Sequence, residues 1–190
     1  MTTDPHPWAA EIDSLHAQIW TRLTRGVHDR RAPARHPTLA TVDATGRPQA
    51  RTVVLRGADA AAGTLSLYTD RHSAKVAELR ANPLAALHVW DAAAHLQIRI
   101  EAEVAIETGP GVADVWASVP EPSRYAYSST ATPGRPIPEA LAYTKTPDPA
   151  AFARLRLTVS AIDALHLGRA HHRRARFERA DGWAGQWLVP

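Results

Sequence analysis

From Thr38 onward, hydrophobic residues recur at every second position in short segments, and this spacing restricts the folds open to the chain. Such alternation indicates β-strands with one buried face. The alternating segments are 38–44, 49–57, 64–70, 84–92 and 95–107. Turn residues separate the first two segments and predict a hairpin, which joins antiparallel strands. This pattern predicts a mainly β protein with peripheral α-helices, whose antiparallel sheet closes into a barrel.

The helices are expected at three places around this sheet. In residues 8–29, apolar side chains lie three or four positions apart, as in an amphipathic helix: Ile12, Leu15, Ile19 and Leu23. Shorter helices are predicted within 72–83 and 109–120. Ser73 is a suitable cap for the first of these, and Asn82 and Pro83 are expected to end it.

We expect a single domain over residues 1–190. It would comprise an N-terminal helix and linker at 1–36 and the barrel at 38–190. Residues 120–150 contain seven prolines and are predicted to form a long irregular loop. A loop of that length in a compact domain is usually functional or mobile.

The composition argues against several classes of protein. The net charge is only +3, with 22 basic and 19 acidic residues, so a dedicated nucleic-acid-binding protein is not expected. The chain has no cysteine, and its ten histidines show no recognised ligand spacing, so we predict no metal site. No apolar run approaches the ~18 residues that a membrane helix needs. No secretory pattern is visible at the N-terminus, and a cytoplasmic location is expected.

Cationic side chains mark two neighbouring segments. Arg51 and Arg56 bound the apparent strand RTVVLR, and their guanidinium groups must find anions or water. Lys75 falls in the first turn of the helix predicted at 72–83, where the helix dipole disfavours a cation unless an anion is bound. The alternative is that these side chains are solvated or paired with carboxylates. If the segments at 49–56 and 64–69 pair, the cations would converge on a site suited to phosphate.

Four blocks in the same order and spacing resemble the pyridoxamine 5'-phosphate oxidase family. They are LATVDATGRPQARTVVLRG, LYTDRHSAKVAEL, LQIRIEAEV after a tryptophan at position 90, and RRARFERADGWAGQWLVP. The resemblance extends from Thr38 to Pro190. Within the family, the chain most specifically resembles FMN-binding relatives that share the GRP and RTVV motifs. It implies an FMN-binding split β-barrel that forms a homodimer with FMN at the subunit interface.

The resemblance also implies site residues. The residues expected to bind FMN, with Ser73 added as the helix start, are Arg51, Thr52, Val53, Val54, Leu55, Arg56, Tyr68, Thr69, Ser73, Lys75, Gln97 and Arg176. The residues expected to meet the substrate are Ser123, His172 and Arg174. No catalytic residue is predicted, because the flavin carries the chemistry in such enzymes.

The chain departs from the family pattern mainly where the oxidase grips its substrate's phosphate. The family's tyrosine and arginine at that place fall at Val115 and Val119, and the flavin-contacting tryptophan falls at Leu165 or His166. Other side chains of the proline-rich loop are candidates for a rebuilt pocket: Arg124, Tyr125, Tyr127, Arg135 and Tyr143.

These observations predict a flavin-dependent oxidoreductase acting on a small molecule that the sequence does not specify. A non-catalytic FMN-binding carrier or sensor is the alternative. A polyanion-binding protein, suggested by the basic stretch GRAHHRRARFER, ranks third.

Overall fold

The computed structural model describes residues 5–129 and 131–190. Within these ranges, nine strands form one antiparallel sheet. The strands are β1 (Thr38–Val42), β2 (Pro48–Thr52), β3 (Leu55–Asp59), β4 (Thr64–Asp70), β5 (Leu84–Asp91), β6 (Leu96–Thr108), β7 (Phe152–Leu167), β8 (His172–Glu178) and β9 (Gln186–Leu188). Their order is β2-β1-β5-β6-β7-β4-β3, with β8 added to β7 and β9 to β8.

The two ends of this order are neighbours in the chain. β2 ends at Thr52 and β3 begins at Leu55, so their Cα atoms can be at most about 11 Å apart. The sheet must therefore curl until its first and last strands meet, which makes it a barrel. In the described part of the chain no ladder joins β2 to β3, so the barrel is split there. The prediction of an antiparallel split barrel is confirmed.

The prediction that RTVVLR is one continuous strand is wrong. Arg51 belongs to β2 and Arg56 belongs to β3. Between the two strands, Val53 donates its backbone N–H to the Pro37 carbonyl oxygen at 3.0 Å. The pattern of alternating side chains continues through this crossing, so the sequence gives no sign of the break. The predicted pairing with the 64–69 segment holds only for β3.

The inward faces of the strands and one face of the first helix share a core. Helix α1 (Ile12–His28) lies within the predicted segment and contributes Leu15, Ile19 and Leu23, which are fully buried. Each such side chain stabilises the fold by roughly 1.5–3 kcal/mol relative to an exposed one. The described helices leave no segment that is both long and apolar enough to cross a membrane.

The remaining helices are short. Helix α2 (Ala74–Ala81) follows Ser73, which is its N-cap, as predicted. Helix α3 (Ala113–Ser118) follows a 3-10 turn at Gly109–Val112. The proline-rich region is not irregular throughout, because it opens with helix α4 (Glu121–Arg124) and a 3-10 turn at Tyr125–Tyr127. Of these two elements, only the turn has a buried residue, Tyr127, which packs with Phe152.

Helix α1 contains a half-buried histidine, His16, whose neutral form the fold favours. The ring of His16 accepts a hydrogen bond at Nε2 from the Trp20 indole N–H at 3.1 Å, and it packs on Phe177 and Trp183. Burial lowers the pKa of His16 below its ordinary value of 6.5, and nearby Asp13 only partly opposes this. The unfolded chain therefore takes up this proton at a higher pH than the folded chain does.

We expect His16 to make the fold sensitive to mild acid. Stability from this group is present above pH about 6.5 and is lost as the pH falls towards the depressed pKa of the folded state. Urea unfolding at a series of pH values from about 7.5 to 5.5 would show a smaller loss of stability for His16→Gln than for the wild type. His28→Gln, an exposed position on the same helix, is the matched control and should follow the wild type. Parallel curves for His16→Gln and the wild type would contradict the assignment.

Candidate functional site

The start of α2 brings together three of the predicted FMN-binding residues. Thr69 and Ser73 are buried, and their hydroxyl oxygens lie 3.3 Å apart. The Lys75 ammonium donates to Thr69 Oγ1 at 3.0 Å. They meet because β4 ends at Asp70 and the chain turns at once into α2. We call Thr69, Ser73 and Lys75 the helix-start group.

The ammonium of Lys75 is partly desolvated and only partly satisfied. It has three donors, and Thr69 is its one hydrogen-bond partner in the described part of the chain. Burial lowers the pKa of Lys75, and the charge of Arg51 lowers it further, against the smaller opposing effects of Asp70 and Glu78. A bound anion would favour the charged ammonium and accept its remaining hydrogen bonds. The group therefore suits an anionic ligand.

Arg51 lies beside the helix-start group but is already paired. Its Nη2 donates to Glu78 Oε2 at 2.7 Å, and its Nη1 donates to the Thr41 hydroxyl. That hydroxyl donates in turn to the same carboxylate of Glu78. Arg51 thus adds positive charge near Lys75 while two of its nitrogen atoms are committed to the protein.

Arg56 stands on the other side of the break between β2 and β3. It is the extra residue of a β-bulge, because Leu55 pairs with Leu67 and Gly57 pairs with Ser66. Bulges change the direction of a side chain and are common beside functional sites. Arg56 Nη2 donates to the Tyr127 hydroxyl at 3.3 Å, and its guanidinium carbon lies 5.9 Å from the centre of the Tyr68 ring.

Within residues 5–129 and 131–190, the guanidinium of Arg56 has no carboxylate partner. Its Nε is buried without a hydrogen bond, and among the described residues only Nη2 has a protein acceptor. Two other half-buried arginines of the sheet are paired with acids, Arg154 with Glu107 and Arg174 with Asp163. A buried donor without an acceptor is rare in proteins, and it points to a ligand or an ordered water as the missing acceptor.

Aromatic rings surround the Arg56 side chain. Tyr127 and Phe152 are buried, and the ring of Phe152 packs at 5.2 Å from the rings of both Tyr68 and Tyr127. The ring of Trp116 also packs against Phe152, with 5.3 Å between the two ring centres. We call Tyr68, Trp116, Tyr127 and Phe152 the aromatic cluster. It fixes the segment that carries Tyr127, and with it the acceptor of Arg56.

Nothing in the spacing of the sequence distinguishes Tyr127 from its neighbours. Tyr125, two positions earlier, is 46% exposed, whereas Tyr127 is 5% exposed. Ser123, predicted to meet the substrate, is half-buried on α4 in this same segment. Val115 and Val119 pack with the aromatic cluster, so the structure gives both an apolar packing role.

The residues between the two arginines differ in what they can offer a ligand. Thr52 is exposed, and Val53 and Val54 are half-buried at the crossing. Leu55 is fully buried in the core, so its side chain is unavailable and only its backbone could contact a ligand. Even its carbonyl oxygen already accepts a hydrogen bond from Arg35 at 3.3 Å.

The other predicted site residues lie on the outward face of β6, β7 and β8. Gln97 pairs with Leu165, and Leu165 pairs with Arg174. In the adjacent row, Arg176 pairs with Asp163. His172 is exposed at the start of β8. Of the two positions aligned with the family's tryptophan, Leu165 lies in the Gln97 row, whereas His166 is fully buried.

The arginines of this outward face are held by acidic side chains. Arg176 donates from Nη1 and Nη2 to the Glu101 carboxylate at 2.9 and 3.0 Å, and from Nε to Glu178 at 2.8 Å. These bonds raise the pKa of Arg176 and lower the pKa of Glu101. Arg174 donates to Asp163 at 2.8 Å. Within the described residues no cluster of three or more metal-ligating side chains is found.

The rows of Tyr68 and Gln97 meet different ends of β6. Tyr68 of β4 pairs with Arg154 of β7, and Arg154 pairs with Glu107 near the end of β6; these three residues form the Tyr68 row. Gln97 lies at the other end of the same strand, about 33 Å away at about 3.3 Å per residue. The Tyr68 row and the Gln97 row therefore lie at opposite ends of β6.

Near its break the split barrel carries Lys75 and Arg56, which have no carboxylate partner among the described residues and suit an anionic ligand. The sequence profile described as "Pyridoxamine 5'-phosphate oxidase, FMN-binding domain" matches residues 13–108. The chain therefore belongs to this FMN-binding family, and FMN is the cofactor of the family. The location of each FMN contact remains a prediction.

Individual relatives agree over nearly the whole chain. A pyridoxine/pyridoxamine 5'-phosphate oxidase of Microcystis aeruginosa is 33% identical over 88% of this chain and 85% of its own length. The enzyme of that name from Anaeromyxobacter dehalogenans is 31% identical over 98% of this chain and 100% of its own. A solved FMN-binding protein from Nostoc punctiforme, related to pyridoxamine 5'-phosphate oxidase, superposes with a TM-score of 0.77 at 25% identity, and all of both chains is covered.

The residues present fit FMN. Its phosphate needs cations and donors, and the helix-start group offers an ammonium with unused donors, two hydroxyls and the N-terminus of α2. The buried, unpaired Nε of Arg56 marks a second place where the protein lacks an acceptor. Both places flank the same break in the barrel.

Proposed function

We propose that this protein is an FMN-dependent oxidoreductase that acts on a small-molecule substrate. The observation that carries the proposal is that Lys75 and Arg56, on either side of the β2–β3 break, both keep donors without a protein acceptor among the described residues. An elongated ligand with a phosphate at one end suits this arrangement. Lys75 and Ser73 would hold the phosphate, and the chain from Arg51 to Arg56 would run along the ligand.

When bound, FMN supplies the hydride and electron chemistry. The role of the chain is to bind, orient and exclude water. Arg56 would stabilise negative charge that develops near its guanidinium, an effect that is strong because the group is partly desolvated. The aromatic cluster would keep water from that end of the site and would fix the orientation of Arg56 through Tyr127.

We further propose that the working form is a homodimer with FMN at the interface. Gln97, Arg174 and Arg176 lie towards the end of β6 away from the Tyr68 row of their own chain, and a second copy could present them at the break. The outward face that carries them also exposes the apolar side chains of Leu84 and Trp90, which are 62% and 42% exposed. His172, at the start of β8, would come with this face.

The substrate is proposed to differ from pyridoxamine 5'-phosphate, although curated relatives carry the name of that oxidase. Val115 and Val119 offer no hydrogen bonds to a phosphate, and both are part of the apolar packing around Phe152. Ser123 alone remains from the substrate-phosphate contacts expected for the family. We therefore expect the substrate to be a small molecule with a different anionic group.

A spectrum of the purified protein tests the proposal. We expect it to retain FMN on desalting, with the two visible absorption bands of a flavin, and to elute as a dimer. Anaerobic addition of NADH, NADPH or a candidate reduced substrate should bleach the bands, and oxygen should restore them. If FMN binds but no reductant bleaches it faster than it bleaches free FMN, the protein is a carrier or sensor. If the folded protein takes up no FMN, the whole proposal fails. Cell fractionation would test the predicted cytoplasmic location.

A further inference from the structure

A carboxylate that the sequence does not single out lies beside the helix-start group. Glu78 is on α2, three residues after Lys75, and residues at this spacing are neighbours on a helix surface. Its side chain is only 10% exposed, and its Oε2 accepts hydrogen bonds from Arg51 Nη2 and from the Thr41 hydroxyl. Arg51 Nη1 donates to the same hydroxyl. Arg51, Thr41 and Glu78 therefore form a closed set of hydrogen bonds, which we call the Glu78 ring.

The Glu78 ring holds the guanidinium of Arg51 against α2. Thr41 is buried on β1, Arg51 is on β2, and Glu78 belongs to the helix that carries Lys75. Among the described residues, Arg51 Nε has no protein acceptor, so this donor remains for a ligand. The ring thus fixes the position of a positive charge whose free edge can still meet an anion.

Glu78 also compensates two cations that repel each other. Burial, and then the charge of Arg51, lower the pKa of Lys75, whereas Asp70 and Glu78 raise it. Two cations in a partly desolvated place need a negative charge nearby to remain together. Asp70 already accepts a hydrogen bond from the backbone N–H of His72 at 2.7 Å. Glu78 is the acid that binds one of the two cations directly.

We propose that Glu78 is the internal counter-ion of the phosphate site and that, through Arg51, it limits the affinity of this site for FMN. This inference rests on the proposed function and identifies the residue that controls the same site. Glu78 is a positioning residue, which compensates Arg51 and Lys75 while no phosphate is bound. A bound phosphate is a second anion near Glu78, and the repulsion between the two weakens binding. Removal of the Glu78 charge should therefore lower stability but raise affinity.

Glutamine at this position tests the charge alone, because its amide oxygen can still accept from Thr41 and Arg51. We expect Glu78→Gln to bind FMN about three- to tenfold more tightly than the wild type. The FMN-free variant should unfold about 2–4 °C lower. Riboflavin, which lacks the phosphate, should bind equally well to both proteins. Quenching of flavin fluorescence and thermal unfolding measure these quantities. A purely structural role for Glu78 would weaken the binding of both flavins.

Asp91→Asn is the matched control. The Asp91 carboxylate is 13% exposed and accepts from Arg22 Nε at 3.0 Å, in an ion pair that is buried to a similar extent and attaches β5 to α1. This variant should also unfold at a lower temperature, but it should bind FMN and riboflavin as the wild type does. The counter-ion role is overturned if Glu78→Gln binds FMN no more tightly than the wild type, or if its affinity for riboflavin rises by the same factor.

Inorganic phosphate separates this inference from the proposed function. It should raise the unfolding midpoint of FMN-free Glu78→Gln more than that of the wild type. Normal FMN uptake with no gain from Glu78→Gln removes only the counter-ion role. Stabilisation by phosphate that Glu78→Gln enhances, without any FMN uptake, removes only the flavin function. If neither FMN nor phosphate distinguishes the two proteins, and neither ligand binds, both proposals fail.

Discussion

Replacement of Lys75 by glutamine is expected to weaken FMN binding by about ten- to a hundredfold. A hydrogen bond to a charged group contributes about 1.5–3 kcal/mol, and about 1.4 kcal/mol corresponds to a tenfold change in affinity. Glutamine is one atom shorter than lysine but keeps an N–H donor, so the change removes mainly the positive charge. Quenching of FMN fluorescence on titration with the FMN-free protein would measure the dissociation constant.

The second lysine of the chain provides the control. Lys145 lies in the exposed part of the proline-rich loop, over the ring of Tyr143, and Lys145→Gln should bind FMN as the wild type does. The folded Lys75→Gln protein should be no less stable than the wild type, because a partly desolvated charge has been removed. Equal FMN affinities for the two variants would show that the helix-start group does not hold the phosphate.

Replacement of Phe152 by alanine should lower the free energy of unfolding by about 3–5 kcal/mol, the range for deletion of a buried aromatic ring. Phe152 is fully buried at the start of β7 and contacts the other three rings of the aromatic cluster. For a chain of this size the midpoint of thermal unfolding should fall by roughly 6–20 °C. Thermal and urea unfolding followed by tryptophan fluorescence would measure both quantities.

Leu141→Ala is a suitable comparison, since Leu141 is 83% exposed and its loss should change stability by less than about 0.5 kcal/mol. If Phe152→Ala lost less than about 1 kcal/mol, the cluster would be loosely packed. Tyr127 would then be a poor support for Arg56. The result therefore bears on the site as well as on the fold.

Much of the fold could be predicted from the sequence because alternation reports which face of a strand is buried. β4 and β5 lie in the predicted segments, β6 ends one residue beyond its segment, and α2 begins after Ser73 as its capping signal indicates. The break after Thr52 could not be predicted. Val53 and Val54 fit the alternating pattern, and only closure of the barrel requires the chain to change from one edge of the sheet to the other.

The site was less predictable, because hydrogen bonds between distant segments leave no local pattern. The spacing of Ser73 and Lys75 indicates an anion site, and the structure places them with Thr69. The pairing of Arg51 with Glu78 joins residues 27 positions apart. Contact between Arg56 and Tyr127 spans 71 positions, and it depends on how the proline-rich segment packs against Phe152.

The break between β2 and β3 has a mechanical consequence. In the sheet formed by the described strands, the backbone hydrogen bonds connect Arg51 to Arg56 only through β1, β5, β6, β7 and β4. Apart from the covalent crossing at Val53 and Val54, the seam has no ladder of its own among the described residues. A ligand that bound on both sides would close this ring, and its binding free energy would oppose the parting of the two edges.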